Sequence, residues 1–589
     1  MKQFFKMAFA TVVGLFLFQI IVFVLFLIFV IGMVGLSSTQ SVDVKSNTLL
    51  VLNLEGTIVE RSVDNPFEKY MGNGFGSTKE IGLKTIVDNI KKAKNDENIA
   101  GISLRLDKMN ASVATLEEIR DALTDFKESK KFVYAYGDIY SQGAYYLASV
   151  SDKVFFNPQG LFVLQGLSSS VLFFKNLLNK MDIEMQVVKV GTYKSAVEPY
   201  ILESMSDANR EQMSRLLNSI WEKMSTQICE SRSMEANTFQ SACDNLTLLG
   251  DNNKTLELGF VDSLVYADQY INFLKKQMKI ADNKDISTIS LKQYNNVSVK
   301  TQSSQNKIAV LYAVGNIIMD EGSSSSIGKN ITQELIKLRK DKKVKAIVLR
   351  INSGGGDALM SENIWREVVK TKAEKPIVVS MGDLAASGGY YIACAANYIV
   401  AQHNTITGSI GVFGMFPNTK SFLNNKIGVN VEVVKTNAHS DALGIFRPMD
   451  EVERATMQRN VNHTYDVFLT RVADGRNLTK ENVDSIGQGR VWSGIDALEL
   501  GLVDTLGNLE VAVNKAADLA GISNYTTKDY PVLKDFYTEL SESFWENMMI
   551  KYIKNSTYLQ YAAPYLEAMK TAKQIEGIQT RLPYQITIQ

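Results

Sequence analysis

The 589-residue chain carries 63 Lys plus Arg against 63 Asp plus Glu, and 45% of its residues are hydrophobic. That length is enough for several domains, and the balanced charge excludes a disordered polyelectrolyte and leaves no basic footprint for a nucleic acid. Three cysteines (Cys229, Cys243, Cys394) without a CxxC or a Cys/His cluster exclude a disulfide framework and a structural zinc site, and only three histidines (His403, His439, His463) are present to activate a nucleophile.

Residues 7–36 contain no charged residue, and Gln19 is their one strongly polar member. A bilayer needs about 20 apolar residues, and a cleaved signal peptide has an apolar region of only about 7–15. The run therefore reads as an uncleaved signal anchor, with a buried helix of a soluble protein as the alternative. Lys2 and Lys6 before it, against Asp43 and Lys45 after it, favour an N-terminus in the cytoplasm and everything after about Ser38 outside.

From about Asn47 the chain reads twice. Residues 132–149 (FVYAYGDIYSQGAYYLAS) align with 377–394 (IVVSMGDLAASGGYYIAC) at an offset of 245, as does Leu104-Arg105-Leu106 with Leu349-Arg350-Ile351. Val187-Val188-Lys189 matches Val433-Val434-Lys435 at 246, and LELGFVDSL from Leu256 matches LELGLVDTL from Leu498 at 242. Four colinear matches indicate a tandem duplication, with a period too long for a solenoid or a propeller. The expected units are an anchor and linker (1–46), a first repeat (47–295), a second repeat (296–525) and an amphipathic helical tail (526–589), with the polar stretch 292–304 joining the repeats.

In the second repeat, 307–314, 345–351, 376–381, 398–401 and 429–435 read as buried strands, and 327–341, 358–372 and 450–473 as helices. This alternation predicts an α/β fold with a largely parallel sheet. Ligands approach such sheets at the carboxyl ends of strands, which directs attention to the loops after Ile351 and Met381.

Asn352-Ser353-Gly354-Gly355-Gly356-Asp357 follows one of those strands. Its glycines could aim backbone N–H groups at a phosphate or an oxyanion, or could simply make a tight turn. Ala385-Ala386-Ser387-Gly388-Gly389-Tyr390 sets Ser387 at a second strand-to-helix junction, as a nucleophile or as a helix cap. The first repeat has Gln142 where the second has Ser387, and Asp107-Lys108-Met109-Asn110 in place of the glycine loop. The scaffold is kept while the loop and the serine differ, which suggests that one repeat holds the nucleophile. A serine needs a base. Each histidine reads better as structural, so a lysine is the alternative, usable only if burial or neighbouring cations lower its pKa. Lys194, in Gly191-Thr192-Tyr193-Lys194-Ser195-Ala196-Val197-Glu198-Pro199, follows the first repeat's Val-Val-Lys strand, and Ser440 stands at the equivalent place in the second.

These motifs resemble the long-form signal peptide peptidase A (protease IV) family, membrane-anchored serine proteases with a Ser/Lys dyad, tandem halves and a fold shared with the Clp protease and crotonase superfamilies. The resemblance covers about residues 1–525 and rests on GTYKSAVEP, on MGDLAASGGYYIA and on Thr407-Gly408-Ser409-Ile410-Gly411. It implies Ser387 as nucleophile, Lys194 as general base, Ser409 as the serine that orients the lysine amine, and Gly356 and Gly388 as oxyanion-hole donors. The family's Asn-Ser-Pro-Gly-Gly stands here as Asn352-Ser353-Gly354-Gly355-Gly356, a change expected to loosen the turn. Also implied are substrates among cleaved signal peptides and other short apolar peptides, an inner-membrane location with an extracytoplasmic catalytic domain, a homotetramer, and neither cofactor nor metal. A crotonase-like acyl-CoA enzyme and a non-catalytic membrane scaffold are the competing readings. Whether Ser387 meets Lys194 of its own chain or of a neighbour stays open, as does oxidation of Cys229 and Cys243.

Overall fold

Strands buried on both faces need apolar residues at every position, and both repeats supply such runs. The computed structural model describes residues 43–62, 79–298, 304–323, 325–533 and 577–581, together with some of positions 3–21. In the first half, six strands pair in parallel in the order Thr288–Ser290, Thr48–Asn53, Ile99–Arg105, Phe132–Tyr140, Lys153–Phe162 and Ser263–Leu264. In the second, the order is Val491–Ser493, Ile406–Gly408, Ile377–Ala386, Val344–Ser353, Lys307–Val314 and Thr526–Tyr530. Tyr398–Ala401 also pairs with Ile377–Ala386. Within this sheet the pairing of Ile406–Gly408 with Val491–Ser493 is antiparallel.

Alternate residues of each strand feed opposite faces. Ile347, Leu349 and Ile351 join a core with Ile364 and Val368 of helix Ala358–Lys372 and with Val461 and Phe468 of helix Glu451–Arg476. Ala346 and Val348 join Ala512, Val513 and Ala516 of helix Leu509–Ala520 on the other side. The first half repeats the arrangement, with Ile102 and Leu104 on one face and Tyr134, Tyr136 and Phe155 packed against Tyr270 and Leu274 on the other.

A third sheet joins the halves, in the order Ser326–Ile327, Asn316–Ile317, Gly355–Asp357, Gly577–Arg581, Val412–Asn418 and Glu184–Val190. First-half Glu184–Val190 runs antiparallel to second-half Val412–Asn418, with Val188 opposite Gly414.

One predicted strand is not formed. Residues 429–435 belong to no strand and are exposed, Val434 fully so. Their first-half counterpart is a strand because Val412–Asn418 offers it an edge. The matching first-half segment, 167–173, is not a strand, so 429–435 has no edge to join. The stretch read as a linker begins with helix Leu291–Asn295, whose Leu291 and Tyr294 are buried in the first-half core. The region read as a helical tail opens with the edge strand Thr526–Tyr530, parallel to Lys307–Val314. Most of the anchor expected at 7–36 and most of the tail lie outside the described residues. Among the described residues no helix is long and apolar enough to cross a membrane.

Candidate active site

Two neighbouring parallel strands deliver their carboxyl ends to one place. Val344–Ser353 runs into Gly354-Gly355-Gly356, and Ile377–Ala386 runs into Ser387. Ser387 sits at φ 55° and ψ −115° ahead of helix Gly388–Ala393, a conformation costly for a residue with a Cβ. Its N–H bonds Gly408 O at 2.8 Å, and its carbonyl accepts from Tyr391 N at 2.8 Å, which holds the strained turn. At Gly389 a Cβ would come within 2.6 Å of Ser353 O, so glycine there lets the helix close against the loop. Ser387 makes no side-chain cap bond, which removes the capping alternative.

Its hydroxyl faces Lys194 instead. Lys194 Nζ lies 2.8 Å from Ser387 Oγ, 3.0 Å from Ser409 Oγ and 3.2 Å from Ser409 O, all within one chain. The three side chains are fully buried. Burial pushes the Lys194 amine down to about 7, because an ammonium there loses its water and gains no carboxylate. A neutral amine has two N–H donors and one lone pair. The two oxygens of Ser409 match the donors, which leaves the lone pair for the Ser387 hydroxyl proton.

The lysine is held by both halves. Tyr193 N donates to Gln488 O at 2.8 Å. Gln212 Nε2 donates to Tyr193 O and Ser195 Oγ at 2.9 and 3.0 Å, while its Oε1 accepts from Val491 N at 3.2 Å. Gly489 packs so closely that a Cβ would lie 2.6 Å from Lys194 Cβ. Sequence reading missed Gln212, Gln488 and Gly489. The one signal available was the Gly487-Gln488-Gly489 turn just ahead of Val491–Ser493.

Gly356, at φ 157°, has no room for a side chain, since a Cβ would meet Ile317 O at 2.1 Å. The loosening expected from Gly354 is countered by Ser353, whose Oγ donates to Gly315 O at 2.6 Å and accepts from Gly355 N at 3.1 Å. Gly388 opens its helix, where the first N–H groups have no partner within the helix. On the far side, Gly577–Arg581 lies antiparallel to two strands at once, with Thr580 opposite Gly356 and Gln579 opposite Phe413. An extended chain therefore runs beside the glycine loop.

Other candidates fall elsewhere. Gln142, the counterpart of Ser387, is buried and accepts from Gly166 N at 2.9 Å. Ser440, the counterpart of Lys194, lies on the exposed 429–445 segment. His403 pairs with buried Glu117 at 2.6 Å and His439 with Asp450 at 3.2 Å. Cys229 and Cys243 are free thiols, and burial pushes the Cys243 thiol up to about 12.

Comparison with known proteins finds one family description in each half of the chain. The description "Peptidase family S49" matches residues 125–281 and again 369–523, and "Clp protease" matches residues 299–405. Protease 4 of Salmonella typhi is 36% identical over 542 residues, covering 89% of this chain and 86% of that protein. Protease 4 of Haemophilus influenzae is 35% identical, with coverages of 82% and 80%. The chloroplastic serine protease SPPA of Arabidopsis thaliana is 32% identical, with coverages of 81% and 70%.

Proposed function

The chain belongs to peptidase family S49 as a serine peptidase of the protease 4 type with a Clp-like α/β fold, and from that premise we propose that it is a membrane-anchored endopeptidase. In this reading it degrades cleaved signal peptides and other short apolar peptides outside the cytoplasm, working through an acyl-enzyme. Ser387 is the nucleophile, Lys194 the base, Ser409 the residue that orients the amine, and Gly356 and Gly388 the oxyanion donors. The two repeats pool one site, the first supplying the lysine and the second the serine, and the enzyme works as a homotetramer without cofactor or metal.

The observation that carries this reading is the 2.8 Å approach of a buried, unpaired lysine to a buried, strained serine 193 residues away. Neutral Lys194 takes the Ser387 proton as Oγ attacks the carbonyl carbon. The resulting oxyanion is received by the glycine amides, worth about 3–4 kcal/mol per donor in comparable sites. The lysine then gives its proton to the leaving amine, and the peptide C–N bond breaks. A water deprotonated by the same lysine attacks the ester, releasing the acid and restoring Ser387. The balanced net charge of the chain suits apolar substrates, which gain nothing from electrostatic steering.

An alkoxy fluorophosphonate probe tests the chemistry. Labelling is expected at Ser387 alone, slowly, together with hydrolysis of apolar peptides. Label on another serine, or turnover of acyl-CoA thioesters instead of peptides, would overturn the proposal.

The strand Gly577–Arg581 indicates how a substrate is held. Strands in a sheet lie about 4.8 Å apart, so without it a gap one strand wide would separate Gly355–Asp357 from Val412–Asn418. An extended peptide added there gains main-chain hydrogen bonds beside Ser387. Deleting residues 577–589 is therefore expected to raise kcat/KM for short peptides severalfold, read with a fluorogenic peptide. A drop in activity at unchanged thermal stability would count against this substrate path.

A further inference from the structure

Behind the glycine loop lies a buried charge network that the mechanism does not use. Arg350, on the strand that ends at Ser353, is fully buried, and its guanidinium meets two carboxylates of the first half. Nε is 3.0 Å from Glu60 Oε2, and Nη2 is 2.9 Å from Glu118 Oε2. The two acids differ in one respect. Glu60 Oε1 also accepts from Asn352 Nδ2 at 3.1 Å. Glu118 instead accepts from Leu509 N at 3.5 Å, at the start of helix Leu509–Ala520.

Asn352 binds both arms of the site. Its Oδ1 accepts from Leu384 N at 3.1 Å, three residues before Ser387, and its Nδ2 donates a second bond to Asp383 Oδ2 at 3.2 Å. Asp383 is itself tied to first-half Thr115, through N at 2.8 Å and Oγ1 at 2.7 Å. The Asn352 carbonyl accepts from Gly315 N at 2.9 Å, and the next residue, Ser353, pins Gly355 N. Space for this contact is kept by Gly382, where a Cβ would come within 2.5 Å of Glu60 Oε1.

The first repeat serves as an internal control. Asp107, the counterpart of Asn352, accepts from Ile139 N at 2.9 Å, as Asn352 does from Leu384 N. Its neighbour Arg105, the counterpart of Arg350, lies over the rings of Tyr136 and Tyr270. The strand-to-strand tie is thus common to both halves. An amide that donates to a carboxylate of the opposite half, Glu60, belongs to the serine-bearing half, and an aspartate at position 352 could not make that bond.

We propose that Glu60 is a positioning residue: a first-half carboxylate that grips the Asn352 amide and through it fixes the Gly354–Gly356 backbone relative to Ser387. This rests on the oxyanion reading of the glycine loop. A donor displaced by about 1 Å can cost roughly 100-fold in rate, so the grip acts on kcat. It also makes the oxyanion loop of one half depend on correct docking of the other.

The test compares Glu60→Ala, Asn352→Ala, their combination and Glu118→Ala in the full chain. Readouts are kcat and KM on an apolar peptide, and hydrogen exchange of the peptide spanning residues 352–358. Glu60→Ala and Asn352→Ala are expected to lower kcat roughly 10- to 100-fold with KM within about twofold, and to speed exchange about tenfold. The double variant should be no slower than the worse single one. Glu118→Ala strips the same arginine of a partner but should leave kcat and exchange near wild type. Equal effects from Glu118→Ala, or losses that multiply in the double variant, would overturn the proposal. If Glu60→Ala fails to fold, Asn352→Asp decides the question: it leaves the Arg350 ion pairs intact and keeps an acceptor for Leu384 N, as Asp107 does for Ile139 N, but cannot donate to Glu60, so unchanged kcat and exchange would overturn the proposal. Absence of hydrolysis by the wild type would refute the peptidase reading, while the exchange pattern would still judge Glu60.

Discussion

Ser387→Ala is expected to lower kcat for peptide hydrolysis by on the order of 10⁴- to 10⁶-fold while the protein stays folded. Without Oγ no acyl-enzyme can form. The residual rate is what an oxyanion hole and substrate binding give to a water molecule, about 10³–10⁴ over the uncatalysed reaction. The strain at φ 55° is shared by serine and alanine, since both carry a Cβ, so the turn pays nothing extra for the change. One buried hydrogen bond to Lys194 Nζ is lost, an effect of about 1 kcal/mol on stability. The measurement is single-turnover hydrolysis beside a thermal melt. Activity within tenfold of wild type would remove Ser387 from the reaction.

Lys194→Met should be comparably inactive but more stable. In the unfolded chain the lysine holds its proton up to about pH 10.4, whereas burial in the fold lowers its pKa to about 7. Between those values the unfolded state binds more protons, so the wild type gains stability as pH rises from about 7 to 10.5, and below 7 it carries the full penalty. A methionine of similar length removes that penalty. Stability at pH 7 is expected to rise by on the order of 2–4 kcal/mol after allowance for lost hydrogen bonds to Ser409. The same group sets the activity profile: kcat/KM of the wild type should climb tenfold per pH unit below about 7 and level off above it. Lys194→Arg should also be inactive, because a guanidinium cannot give up its proton to serve as base. A wild-type profile that falls on raising the pH through 7, or a Lys194→Met variant that still turns over, would exclude a lysine base.

The strands at 307–314, 345–351, 376–381 and 398–401 were legible because each is an apolar run buried on both faces, and periodicity reports burial. The run at 429–435 is also rich in Val but is exposed, because pairing depends on a free edge elsewhere in the fold. Ser387 and Lys194 could be found from the reciprocal differences between the two repeats together with the family motifs. Gln212 and Glu60 could not, since each acts across the boundary between halves and carries no local pattern. A buried carboxylate such as Glu60 looks in sequence like any solvated one.

By itself the amino-acid sequence determined the duplication, the parallel α/β core and the reciprocal difference that leaves a serine in one repeat and a lysine in the other. These are matters of composition and spacing along the chain. Tertiary structure alone decided that the two side chains meet within one chain at 2.8 Å, that burial brings the lysine amine down to about 7, and that a C-terminal strand lies beside the glycine loop. Desolvation and strand edges arise only when residues far apart in sequence are packed together, and for that reason they left no mark on the sequence.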